Sequence, residues 1–321
     1  MYSINVLIIC YKQENLVNRA LDSVLCQKEW GLKNIVIQDD CSPDGTWDVL
    51  QDYARKYPDI VKPYRNEHNL GIYGNWQTMM QNRGEADFYV QLSGDDAFCD
   101  GFFKAAQTFL EAHPVQSSKP FGIFMDWKVV RANGLERVVR NQALRNDVPA
   151  FRLQLRGAIH PRGALISKGT VDQYKQIPLE HGIPLAETVA DLQQTYLSYC
   201  IYYVPFVAAI YYANIGVTSN LKKYNYIEDR IYSLQHLHEY FDLCEADEDY
   251  IQYLKNKTLN GQRFSLSSYR QMISYYKKSA DGLFPLSKKA LFCLYFQPIT
   301  SRFRAILKRF YYWSLKIRKL I

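Results

Sequence analysis

The chain has 321 residues, 48% hydrophobic and 22% charged, a balance that excludes general disorder and a low-complexity or collagen-like chain. Its formal net charge of +7 is unevenly spread: nine of the 39 Lys and Arg residues follow Asp281, where no acidic residue stands, and the rest carries 30 basic against 32 acidic. The excess belongs to a tail, so the globule itself gives no reason to expect nucleic acid as a partner.

Ile4 to Cys10 is a short apolar run rich in β-branched residues, which predicts a buried parallel strand. The start, Met1-Tyr2-Ser3, lacks the basic and apolar regions of a signal peptide, so none is expected. Leu16, Ala20, Leu21, Val24 and Leu25 recur at helical spacing. Ile35-Val36-Ile37 predicts a second strand, stopped by polar Asp39 to Gly45, with Ser42-Pro43 read as the N-cap and first turn of a helix to about Tyr57. A third strand is expected over Ile60 to Tyr64. A turn at Asn69-Leu70-Gly71 then leads into a helix through Trp76 and Met80. Phe88 to Leu92 is a fourth strand, ended by Ser93-Gly94-Asp95-Asp96.

Farther on, strands are expected over Phe121 to Val130, over Ala158 to Ser167 and within Tyr199 to Tyr212, with a helix over Thr188 to Tyr199. The composition shifts near residue 215 and turns helical. Alternation of β and α elements predicts a mostly parallel sheet covered by helices. No stretch is apolar enough for a membrane span of about 20 residues. The seven cysteines are scattered and show no CxxC pair, which points to reduced thiols in a cytosolic setting.

Two acidic loops end strands two and four, where ligands bind in an open α/β sheet. Neither GxGxxG nor a P-loop follows the first strand. Asp95-Asp96 places two carboxylates side by side, which repel unless neutralised, and a hard divalent cation would do that. A solvated turn in which one aspartate caps the next helix is the structural alternative. A carboxylate of Asp39-Asp40 is suited to accept an N–H from a base edge, and Tyr11 to offer an aromatic face; capping and packing are their alternatives.

Together these segments resemble the family 2 inverting glycosyltransferases. Ile4 to Tyr11 is similar to the family's opening strand, with Gln27 near the end of its first helix. Ile35 to Thr46 resembles its VDDxSxDGT segment, Asn69-Leu70-Gly71 with Asn75 its NxGxxxxxN turn, and Ser93 to Asp96 its DxD-type motif. The resemblance spans roughly residues 1–215. It implies a GT-A, Rossmann-like, mostly parallel α/β sheet flanked by helices, with a helical extension at 216–283 and a tail at 284–321.

The resemblance also implies roles. Tyr11, Asp40, Asn69 and Asp95 would hold a nucleotide-sugar donor, with a UDP-sugar favoured, and Asp96 would bind Mg²⁺ or Mn²⁺. The family's Glu-Asp pair maps onto Pro184-Leu185-Ala186-Glu187-Thr188, where threonine stands at the aspartate position. Glu187 is the favoured catalytic base, with Asp191, one helical turn later, as the alternative. His160 and Arg162 lie where similar enzymes run a strand along the acceptor site and would touch the diphosphate or the acceptor, or else be structural; His181 is no better supported. A nucleotidyltransferase or hydrolase on the same fold and a donor-binding scaffold without activity are the rival readings.

From Phe284 onward, apolar and aromatic residues alternate with Lys and Arg, the pattern of a helix lying on a membrane surface. A basic helix packed on the domain is the alternative, with RNA binding behind it. The expected partners are therefore a nucleotide-sugar, a glycan or lipid-linked acceptor and the cytoplasmic face of the membrane.

Overall fold

The computed structural model describes residues 1–145, 150–155, 159–175 and 183–213, with 215, 234, 236–245, 247–248 and 251–252 beyond them; the side chains of 183–188 lie outside the description. Packing divides the chain into Met1–Asp242 and Leu243–Ile321. The extension and tail expected after residue 215 lie largely outside the described residues.

Strand β1 (Ile4–Cys10) runs through the middle of the sheet, parallel to β2 (Leu32–Asp39) on one side and β4 (Phe88–Ser93) on the other. β3 (Val61–Arg65) extends the sheet beyond β2. The alternate residues Ile4, Val6, Ile8 and Cys10 share one face with Val17, Ala20, Leu21, Val24 and Leu25 of helix α1 (Val17–Leu25). The period of two in the strand meets the period of 3.6 in the helix, and each fully buried aliphatic side chain contributes about 1.5–3 kcal/mol. The opposite face, with Leu7 and Ile9, packs toward helix α3 (Gly71–Gln81).

Between them, α2 (Thr46–Lys56) leads from β2 to β3. It begins at Thr46, not at Pro43, because the Ser42 hydroxyl is taken by Asp39 and Asp44 Oδ1 instead accepts the Thr46 amide at 3.2 Å.

The second half departs from the parallel plan. The sheet has nine strands among the described residues, in the order β3-β2-β1-β4-β8-β6-β9-β5 with β7 beside β6. Here β5 is Ala97–Phe98, β6 Phe121–Arg131, β7 Glu136–Val139, β8 Leu165–Ser167 and β9 Cys200–Ala213. β8 runs antiparallel to both β4 and β6, and β9 runs parallel to β6. Only the last three residues of the expected strand Ala158 to Ser167 pair, because Pro161 to Ala164 closes a turn through the Ala164 amide and the Pro161 carbonyl at 2.9 Å.

One long strand, β9 from Cys200 to Ala213, runs where strand was expected within Tyr199 to Tyr212. Its register against β6 slips after Val204, where Pro205 has no N–H to give. Helices α4 (Phe102–Ala112), α5 (Ala150–Leu155), α6 (Lys168–Val171) and α7 (Ile183–Tyr196) complete the unit. α7 starts before the expected Thr188 because Pro184, within its first turn, lacks only an N–H that would have had no helical partner.

Candidate active site

The strand order reverses between β1 and β4, and the carboxyl ends of these strands form the crevice where such sheets bind ligands. Both acidic loops are seated on the end of β1. The Asp40 amide donates to the Cys10 carbonyl at 3.0 Å, and the Gly94 amide to the Ile9 carbonyl at 3.1 Å. Gly94 is closely packed: a Cβ there would stand 2.3 Å from Gln13 Oε1 and 3.1 Å from Cys10 Cβ, so Gln13 would have to move aside.

The two aspartates of the first loop divide the work. Asp39 is buried and structural, accepting from the Ser42 amide and hydroxyl and pairing with Arg65 Nε at 3.3 Å. Burial raises its carboxyl above the usual range, against the opposing pull of the Ser42 hydrogen bonds and Arg65.

Asp40 faces a polar network. Its Oδ1 accepts the Leu70 amide at 2.8 Å and Asn66 Nδ2 at 2.9 Å, and Oδ2 has no hydrogen-bond partner among the described residues. Asn66 is held in turn by Gln38 Nε2 at 2.9 Å and donates to Asn75 Oδ1 at 3.0 Å. Asn75 Nδ2 reaches the Gln38 carbonyl at 3.0 Å. Asn69 sits beside this network, its Nδ2 3.4 Å from the Asp40 carbonyl and its Oδ1 accepting the Gly71 amide at 3.1 Å. Tyr11 is half-buried directly after β1, with Lys12 Nζ 5.2 Å from its ring centroid. Asn66 was missed by sequence reasoning. The signal that could have found it is Gln38, a polar residue inside an apolar strand, which needs a buried partner.

The second loop is neutralised from within the chain. Asp96 is buried; its Oδ2 accepts Arg162 Nη1 at 2.9 Å and its Oδ1 the Tyr212 amide at 3.1 Å. Burial pushes the Asp96 carboxyl up to about 6, with Arg162 pulling the other way and Asp95 adding to the rise. Burial raises Asp95 as well. Arg19 donates to the Asp95 carbonyl oxygen. Arg162 is aimed by its turn: Gly163 has φ +68°, and a Cβ there would stand 2.7 Å from Ala208 Cβ.

A cavity of about 180 Å³ opens beside this pair. Asp96, His160, Arg162, Asp191, Tyr73 and Trp76 line parts of it, so strands β4 and β9, the turn at 161–163 and helices α3 and α7 meet there. Tyr73 and Trp76 stack with centroids 5.5 Å apart. Burial pushes the His160 imidazole down to about 3, with the Arg162 charge adding to the effect. Asp191 is half-buried on α7, and its charge adds to burial in raising the Tyr174 hydroxyl. Tyr11, Asp40, Asn69 and Asp95 are not among the lining residues of this cavity. The Glu187 side chain and His181 lie outside the described residues.

Residues 5–159 match the family model described as glycosyl transferase family 2. An uncharacterized protein of Mycobacterium tuberculosis is 27% identical over 111 residues, which are 34% of this chain and 32% of that protein. The processive diacylglycerol beta-glycosyltransferase of Mycoplasma pneumoniae is 26% identical over 104 residues, 32% of this chain and 30% of that enzyme. The matched segment thus spans about a third of the length of these curated relatives. S. aureus TarS 1-349, solved in complex with UDP-GlcNAc, superposes with a TM-score of 0.60 at 15% identity, covering 88% of this chain and 82% of that one. The mixed, mostly parallel sheet flanked by helices is the GT-A, Rossmann-like fold. Over residues 5–159 the chain is thus similar to glycosyl transferase family 2.

Proposed function

We propose that the chain transfers a sugar from a nucleotide-sugar, a UDP-sugar, to a hydroxyl of a glycan or lipid-linked acceptor, with inversion at the anomeric carbon. The observation that carries this reading is the seating of two acidic loops on the last two carbonyls of β1, within a segment that matches the family. The UDP-GlcNAc held by TarS on the same fold is consistent with the donor class.

The proposed roles follow from the chemistry of each side chain. Asp40, fixed through Oδ1, presents Oδ2 to the imide N–H of the base, and Tyr11 offers its ring to the base face. Asn69 stiffens the turn that brings the Leu70 amide to Asp40. Asp95 contacts the ribose or sugar.

Buried Asp96 and half-buried Asp95 are adjacent hard oxygen donors, which fits Mg²⁺ or Mn²⁺. Among the described residues no group of three or more His, Cys, Asp or Glu could hold a metal ion. Bound there through Asp96, the ion would stabilise negative charge on the departing nucleoside diphosphate. A carboxylate of α7, Asp191 or Glu187, takes the proton of the acceptor hydroxyl on the face opposite the leaving group.

Calorimetric titration with a panel of nucleotide-sugars, with and without Mn²⁺, tests the donor site. One UDP-sugar is expected to bind in a metal-dependent manner, and Asp96→Ala to lose that dependence. Undiminished metal-dependent binding by Asp96→Ala would contradict the role of Asp96.

The work site is proposed to be the cytoplasmic face of the membrane during surface-polysaccharide assembly, reached through the basic tail. Among the described residues no helix is long and apolar enough to cross a membrane. Basic residues near anionic lipid each contribute about 1 kcal/mol. The full chain is expected to float with anionic liposomes and a truncation before Pro285 to remain behind; equal flotation refutes the anchor.

A further inference from the structure

The structure supplies Asp96 with a cation of its own. Arg162 Nη1 meets Oδ2 at 2.9 Å, and the guanidinium carbon lies 4.2 Å from the Tyr211 ring centroid and 5.4 Å from that of Trp127. Arg19 repeats the arrangement at Asp95: it donates to the Asp95 carbonyl and lies 3.5 Å from the Tyr212 centroid. Asp96 is thus paired directly with Arg162, while Arg19 holds the Asp95 backbone and its charge acts on the Asp95 carboxylate through space.

This balance has a consequence for what can enter. A divalent cation arriving alone meets a carboxylate already neutralised and must separate a largely buried ion pair, which is unfavourable. A cation arriving with a diphosphate faces no such conflict. The charges of ion and diphosphate cancel, and the planar fork of Arg162 exchanges a carboxylate for phosphate oxygens that it fits as well.

We propose that Arg162 is the resident counter-ion of Asp96 in the donor-free protein and passes to the diphosphate on binding, so that metal and donor bind as one unit. This rests on the donor reading given above. It makes Arg162 a positioning residue that sets the order of binding, in addition to any contact with the donor.

The test is a Mn²⁺ titration of the full chain followed by electron paramagnetic resonance, with and without saturating UDP. UDP is expected to tighten Mn²⁺ binding by wild type at least about tenfold, a measurement that needs no variant. Arg162→Gln is expected to bind Mn²⁺ about tenfold tighter than wild type in the absence of UDP, and to gain less from UDP. Arg162→Lys, which keeps the charge, should stay near wild type.

Equal Mn²⁺ affinity with and without UDP in wild type, or unchanged Mn²⁺ affinity in a folded Arg162→Gln, overturns the counter-ion role and leaves the metal site standing. Binding of UDP with no Mn²⁺ uptake at all overturns the metal site and the counter-ion role together.

Discussion

Turnover is expected to fall about 100- to 10,000-fold in Asp191→Asn, with donor affinity unchanged, the range that a positioned general base contributes. Asp191 lines the cavity that also holds Asp96, His160 and Arg162, so it faces the space proposed for the acceptor hydroxyl. Asparagine keeps the shape of the side chain and removes its ability to take a proton. Glu187→Gln is the companion variant, because residues four apart share a helical face and Glu187 stands one turn earlier on α7. Steady-state kinetics with donor and acceptor separate the two, and calorimetry with UDP confirms that the donor site is intact. A loss confined to Glu187→Gln assigns the base to Glu187. Full turnover in both variants removes the base from α7.

Asp40→Asn is expected to weaken UDP binding by about 10- to 100-fold, as loss of a hydrogen bond to a charged group implies. The carboxylate is already committed through Oδ1 to the Leu70 amide and Asn66 Nδ2. An amide in its place keeps one oxygen for those two donors and turns a nitrogen toward the imide N–H, so two donors face each other. Asp39→Asn is the contrast: Asp39 is buried and serves Ser42 and Arg65, so its replacement should lower the melting temperature more than the affinity. Titration calorimetry and thermal unfolding on both variants check the division. Equal loss of UDP affinity in both would contradict it.

The donor half was legible because its signals are local. The runs Ile35 to Ile37 and Phe88 to Leu92 announce buried strands, and the loops that end them carry the acidic residues within two to four positions. The strand bounds moved by a residue or so, as at Val61–Arg65. The second half was less legible because its strands are defined by partners. β5 has two residues and β8 three, too few for a period to show, and they exist because β9, β4 and β6 lie alongside.

The same holds within the site. Asp95-Asp96 stands out in the sequence, but the groups that balance it are 66 and 116 positions away for Asp96 and 76 for Asp95. Asn66 shows why a short polar residue is hard to read: its importance lies in joining Gln38, Asp40 and Asn75, which only the packed sheet brings together.

The distance in sequence between Asp96 and Tyr212 also sets an order of events during synthesis. The Tyr212 amide that closes over Asp96 comes 116 residues after it. At a ribosomal rate of about 5–20 residues per second, that is a wait of roughly 6–23 s. Throughout that interval strands β1 to β4 are complete and able to pair, while the carboxyl of Asp96 remains hydrated at their edge. Its enclosure by Arg162 and β9 is therefore a late step in the birth of the molecule. The N-terminal half of the sheet is synthesised first, and the acidic pair can be sealed only after the strand that covers it has left the ribosome.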